Sequence, residues 1–174
     1  MTKGSIHGIN GPVVTVSGAS DFCMQEMVYV GNEQLIGEVI GVTDKAAVIQ
    51  VYEDTQGLMI GEPVVGTGSP LSVTLAPGII SNIFDGIERP LTDIRDRFGA
   101  FIGRGVSFNS LDIEKKWKTT FVKKVGEHVA AGDIFAQVPE TSLITHKVMV
   151  PYGMEGEITW IAADGEYTIN DVVM

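Results

Sequence analysis

Basic side chains are scarce in this sequence: 12 Lys and Arg stand against 22 Asp and Glu, giving a formal net charge of −10. A surface that neutralises phosphates needs clustered Lys and Arg, so the balance argues against a nucleic-acid or anionic-membrane partner and for plain solubility. Cysteine is nearly absent. Cys23 stands alone, cannot close an internal disulfide and has no basic neighbours to favour a thiolate. It therefore reads as a small buried hydrophobe in a chain with no mark of an oxidising compartment. No run approaches the roughly 18 apolar residues needed to cross a bilayer, and the opening MTKGSIHGINGPVV has no apolar core of signal-peptide length.

The signatures of catalysis are missing too. His7, His128 and His146 lie far apart, with no HExxH pattern and no paired cysteines to hold a metal, so each reads as structural or exposed. There is no GxSxG elbow for a nucleophilic serine. A phosphate cradle of the GxxxxGKS or GxxxxGKT type needs a lysine directly after its last glycine, and no Gly-Lys pair precedes Ser or Thr; Gly103-Arg104-Gly105 is too short to stand in for one. No residue is therefore assigned a catalytic, cofactor-binding or metal-binding role. Asp44, Glu53, Asp54 and Glu62 fall near expected turns, where carboxylates cap amides or meet water.

What the sequence does have is turn punctuation, with 21 Gly and 7 Pro. Short apolar runs at 5–9, 13–16, 26–30, 34–40, 45–52 and 62–67 alternate with turn residues, which predicts six strands closing a small barrel and removing its exposed edges. Leu35 is expected on the buried face of the fourth. Residues 71–75 alternate strictly with period two and predict one more strand. A helix is expected where Leu91, Ile94 and Phe98 share a face between Pro90 and Gly99, with Asp93, Arg95, Asp96 and Arg97 on the solvated side.

Lys115, Lys116, Lys118, Lys123 and Lys124 form the one basic concentration. They are interleaved with Thr119, Thr120 and Phe121 at strand period in an acidic chain, so they read as a solvated strand face. Beyond them VGEHVAAGDIFAQV has an approximate counterpart in DGEYTINDVVM, Gly126-Glu127 matching Gly165-Glu166, on either side of a hairpin region at 140–150. Two β half-units of this kind would bury together a core that neither buries alone. Gly156 and Trp160 fall in a strand leading into the second copy, Trp160 as a core or rim aromatic.

The stretch GEPVVGTGSPLSVTLAPGIISNIFDGIERPL at 61–91, with Arg104-Gly105-Val106, Leu111-Asp112 and Lys116-Trp117 after it, resembles the catalytic A subunit of V-type and archaeal A-type rotary ATPases. IGEVI and VIQVYEDTQGL before that stretch, and VPETSLITHKVMVPYGMEGEI beyond it, extend the resemblance over essentially the whole chain. The fold it implies is mainly β: a six-stranded barrel at 1–68, a linker with one helix opening the nucleotide-binding domain at 69–110, and an inserted bulge domain at 111–174 resembling the biotinyl/lipoyl barrel-sandwich.

The resemblance also implies that the phosphate loop, the catalytic glutamate and a helical C-terminal domain lie further along the polypeptide. This chain is thus expected to be a non-catalytic N-terminal portion, inactive alone and without a cofactor of its own, ATP and Mg belonging to the full-length subunit. The complete subunit hydrolyses ATP to drive proton or sodium transport, or makes ATP in reverse. Implied partners are the other A and B subunits of the ring and peripheral-stalk subunits, with no nucleic acid and no membrane insertion. The implied location is cytoplasmic, peripheral to the membrane. Two alternatives accompany this reading. A lipoyl or biotin carrier would need a lysine at the hairpin tip, but 138–143 has none, and Lys147 falls within a strand-like run. The other is a free-standing adaptor that binds ring subunits.

Overall fold

Period-two alternation of β-branched residues governs the first third of the chain, and in the computed structural model it becomes a closed barrel. The structure describes residues 2–18, 21–80, 82–99, 103–106 and 108–174. Six antiparallel strands, β1 (Lys3–Asn10), β2 (Val13–Ser17), β3 (Glu26–Val30), β4 (Leu35–Val42), β5 (Ala46–Val51) and β6 (Pro63–Pro70), close in the order β1-β2-β5-β4-β3-β6. Closure rests on β6, which pairs with β1 through Lys3 to Val65 and with β3 through Tyr29 to the same Val65.

Every strand turns alternate side chains inward. Val14 and Val16 come from β2, Val28 and Val30 from β3, Leu35 and Val39 from β4, and Ala47, Ile49 and Val51 from β5, none more than 3% exposed. Leu35 is on the buried face expected of it. Register shifts between Ile6 and Gly8, between Val39 and Gly41, and between Glu26 and Val28 add the twist that so small a cylinder needs. Cys23 departs from expectation and is exposed. Phe22, its neighbour, takes the buried place at 4% exposure, and a reversal of direction over one residue leaves Cys23 facing solvent.

The chain separates into two compact units interleaved in sequence: Met1–Val73 with Asp93–Phe108, and Thr74–Thr92 with Asn109–Met174. The strand expected at 71–75 does not form. Val73 and Leu75, in phase with each other, are 60% and 74% exposed, and the Thr74 N–H donates to Glu88 Oε1 at 2.8 Å instead of to a neighbouring strand. Alternation supplies a face but no partner for its hydrogen bonds.

The helix expected after Pro90 is α1 (Leu91–Phe98). Gly99, at φ 77°, ends it by donating its N–H to the Arg95 carbonyl at 2.8 Å, the left-handed C-terminal cap. Its apolar face is narrower than the spacing implied: Ile94 is buried, whereas Phe98 is 49% exposed and stands edge-on to Phe108, 6.0 Å away.

In the second unit, β7 (Trp117–Phe121), β9 (Ile134–Pro139), β10 (Thr145–Met149) and β12 (Gly165–Tyr167) form a sheet ordered β10-β9-β7-β12, and β8 (His128–Val129) pairs with β11 (Gly156–Glu157). Val129, Phe135, Ala136, Val150 and Ile158 make its core. The expected match of Gly126-Glu127 with Gly165-Glu166 does not carry into the structure, since Gly126 stands in a turn at φ 88° and Gly165-Glu166 lie in β12; the two copies are equivalent one residue out of that register, at the turns closed by Asp133 and Asp171. Asp133 accepts from the Ala130 N–H at 3.2 Å and donates its own N–H to the Ala130 carbonyl at 3.0 Å. Asp171 does the same with Thr168, at 2.6 and 3.3 Å. The strand expected to carry both Gly156 and Trp160 is shorter: β11 holds Gly156, and Trp160 lies beyond it, 53% exposed.

The barrel's inward register has a direct test. Leu35→Asp places an uncompensated carboxylate in the core and is expected to lower the unfolding free energy by about 3–5 kcal/mol. An unchanged melting temperature, followed by far-ultraviolet circular dichroism, would contradict the inward facing of Leu35.

Candidate functional site

The polar groups of this molecule that are placed with most care are carboxylates gripping backbone amides. In the barrel, Glu26 occupies an inward position in phase with Val28 and Val30 and is 2% exposed. Its Oε2 accepts from the Cys23 N–H at 2.9 Å and its Oε1 from the Gly68 N–H at 2.8 Å. Two such donors offset the removal of a charge from water. Gly66 makes the room, because a Cβ there would run into the Glu26 carboxylate.

Residues noted at expected turns do related work. Asp54 accepts from the Gln56 N–H at 3.0 Å and Glu62 from the Asn32 N–H at 3.3 Å. Glu53 accepts from the Gly105 N–H at 2.9 Å. Thr43 Oγ1 holds the turn into β5, donating to the Ala46 carbonyl at 2.9 Å and accepting the Ala46 N–H at 3.1 Å. Glu33 meets Arg104 in a fork, Nε to Oε2 at 2.6 Å and Nη2 to Oε1 at 2.5 Å. The fork's hydrogen bonds hold the Glu33 carboxyl below its ordinary range and raise the guanidinium, with slight burial opposing both and mutual charge adding.

In the second unit, the side chain of Glu140 is 1% exposed at the end of the β9–β10 hairpin. It accepts from the Gly78 N–H at 2.7 Å and the Ile80 N–H at 2.9 Å through Oε1, while Oε2 lies 3.3 Å from His146 Nδ1. Gly78 has φ 108°, which disfavours a side chain, and a Cβ there would sit 3.3 Å from the Trp117 ring. The hairpin tip thus carries an inward-turned acid where a carrier domain would present a lysine. Lys147 lies in β10 opposite Gln137, an exposed strand position.

Asp85 closes the neighbouring loop. Its Oδ1 accepts from the Ile87 N–H at 3.0 Å and the Arg89 N–H at 2.9 Å, and its Oδ2 from Arg89 Nε at 2.7 Å. Burial pushes its pKa up, but the Arg89 amide and guanidinium, the Ile87 amide and the positive charge together outweigh burial and hold it below the ordinary aspartate range.

The remaining residues singled out in the sequence are not assembled into a reacting centre. His7 and His128 are exposed on β1 and β8, and among the described residues His146 meets the Glu140 carboxylate. Lys118 is exposed on β7 between buried Trp117 and Thr119, as strand spacing predicts, and Lys115 Nζ lies 4.0 Å from the Trp117 ring centre. Among the described residues no group of three or more His, Cys, Asp or Glu is placed to hold a metal ion.

An apolar hollow of about 210 Å³ is lined by Val129, Met154, Ile158, Trp160 and Met174, with Glu155 and Glu157 also on its wall. Those two carboxylates would repel a phosphate, and no lysine or arginine lines it. Glu26, Glu33, Asp85, Arg104 and Glu140 were not singled out for these roles from sequence. Glu26 carried a signal, an acid in phase with apolar positions, and Asp85-Gly86 with Arg89 four residues after the acid carried another.

Two family models match the chain: the ATP synthase alpha/beta family beta-barrel domain over residues 6–68, and the ATP synthase alpha/beta subunit barrel-sandwich domain over residues 108–174. Barrel and barrel-sandwich together define the class, an alpha/beta-type ATP synthase chain. Within that class the chain belongs to the A-subunit family of A-type and V-type ATP synthases and corresponds to its N-terminal region. It is 53% identical over 173 residues to the A subunit of the A-type ATP synthase of Pyrococcus abyssi, covering 99% of this chain and 17% of that relative. Identity is 49% over 172 residues to the V-type ATP synthase alpha chain of Halothermothrix orenii, covering 99% and 29%. It is 49% over 177 residues to the catalytic A subunit of the V-type proton ATPase of Cyanidium caldarium, covering 100% and 30%. The chain thus spans well under half the length of these relatives. Among the described residues no helix is long and apolar enough to cross a membrane.

Two measurements test the anchors. The chain's two tryptophans, Trp117 and Trp160, both lie in the second unit, so their fluorescence reports that unit. Glu140→Ala leaves the Gly78 and Ile80 amides without their acceptor and is expected to lower that unit's stability to urea by about 1–3 kcal/mol. For Asp85, whose pKa is depressed in the folded state, the stabilisation is present above the ordinary aspartate value and is lost as pH falls through the lowered one. The urea midpoint should therefore drop more between about pH 6 and about pH 3 in the parent than in Asp85→Asn.

Proposed function

We propose that this chain serves as the non-catalytic N-terminal part of the ATP-hydrolysing A subunit of a rotary ATPase. On this reading the barrel supplies contacts to neighbouring A and B subunits of the ring, and the second unit forms the peripheral bulge, within reach of the peripheral stalk. The full subunit, with ATP and Mg, would couple hydrolysis or synthesis of ATP to proton or sodium transport, in a cytoplasmic sector held peripheral to the membrane. The observation that carries the reading is the family match over both β units in a chain whose sequence has no GxxxxGKS or GxxxxGKT loop.

The chemistry of the chain supports the division of labour. Its best-placed acids, Glu26, Asp85 and Glu140, already accept two or more hydrogen bonds from its own amides or guanidinium groups. Groups committed in this way hold a scaffold in shape. The adaptor and carrier alternatives draw no support from the family match, and for a carrier Lys147 is in mid-strand.

Isothermal titration calorimetry of the purified chain with ATP and Mg is expected to give no tight, Mg-dependent binding. Intact mass after co-expression with a lipoyl or biotin ligase is expected to show no adduct on Lys147. Tight nucleotide binding, or an adduct, would overturn the respective half of the proposal.

A further inference from the structure

Glu33 lies in the turn just ahead of β4, and Glu53 lies just after β5; since β4 and β5 run antiparallel with Gly37 opposite Val51, both acids stand at one rim of the barrel. Residues 103–106 sit on that rim. Arg104 makes its two-pronged contact with Glu33, and the next amide, Gly105 N–H, donates to Glu53. The seat is close-fitting. A Cβ on Gly57 would come within 3.2 Å of Arg104 Nη2, and one on Gly105, which has φ 65°, within 2.9 Å of the Glu33 carbonyl oxygen.

The contact is polar and partly open to solvent. The side chains of Arg104 and Glu33 are 26% and 51% exposed, and none of residues 103–106 is fully buried, whereas the barrel-core side chains beneath them, Leu35 among them, are at most 4% exposed. A segment held by one partly exposed ion pair and one amide-to-carboxylate hydrogen bond, with little apolar burial, opens at much lower free energy than the core beneath it. The planar fork of an arginine fits both oxygens of one carboxylate, which a lysine cannot do.

We propose that Arg104 is a releasable clasp, a charge-held tether that seats the 103–106 loop on the barrel rim and lets it lift away while the barrel stays folded. The clasp belongs to the unit that contains the barrel and goes beyond the assignment of the chain to an ATPase ring. It would let residues 103–106 respond to ionic conditions or to a partner's charge competing for Glu33.

Trypsin cleavage after residue 104, followed by mass spectrometry and normalised to a free peptide substrate, tests it without any other protein of the ring. Glu33→Gln keeps the cleavage site but removes the charged half of the fork, and is expected to speed cleavage there about three- to tenfold with the barrel's melting curve unchanged. Arg104→Lys keeps both the charge and the cleavage site and should also speed it, because the fork is gone. In the parent, raising salt to roughly 0.5 M should act in the same direction. Cleavage at the parental rate in both variants would overturn the clasp. So would faster cleavage accompanied by loss of the barrel transition, since the contact would then be part of global folding.

Discussion

The barrel depends on β6 reaching two neighbours at once. Until Val65 is paired with Lys3 on one side and Tyr29 on the other, the first five strands are an open sheet with two unsatisfied edges. Closure converts their alternating valines and isoleucines from one face of a sheet into the filling of a cylinder. Glu26 belongs to the same event, because its carboxylate bridges from the approach to β3 to Gly68 within β6. A buried charge is tolerable there because closure delivers both amides that it needs.

The second unit solves a different problem. Its strands are short, two of them only two residues long, and its buried core is small. Side-chain acids supplement the sheet. Asp133 and Asp171 close equivalent turns, Asp164 accepts the Phe121 N–H at 2.9 Å, and Glu140 and Asp85 hold loops that have no ladder of their own. A net charge of −10 is therefore partly architectural. Several carboxylates that composition presents as surface solubility are hydrogen-bond acceptors for the backbone.

Much of the barrel was legible in the sequence because strand period and turn residues pointed the same way, and Leu35 lies on the buried face expected of it. The family resemblance, read from blocks such as FDGIERPL and VPETSLITHKV, stands in the matched models and relatives. Alternation misled at 71–75, where a strand needs an edge to pair with and Thr74 finds Glu88 instead. Burial misled at Cys23, where hydrophobicity suggested an interior place that Phe22 occupies. Contacts such as Glu33 with Arg104, or Glu140 with Gly78, join residues dozens of positions apart; short-range patterns carry no information about which distant amide an acid will meet.

The anchor at Glu140 has an asymmetry with evolutionary weight. One side of the contact is a specific side chain, but the other is backbone, which every residue except proline supplies. At Ile80, whose amide is the donor, the side chain can drift without breaking the bond; at Gly78 the positive φ narrows that freedom, and at Glu140 it is nearly gone. A scaffold built on such contacts concentrates its mutational sensitivity in a few acids and glycines and leaves the loops they hold open to change.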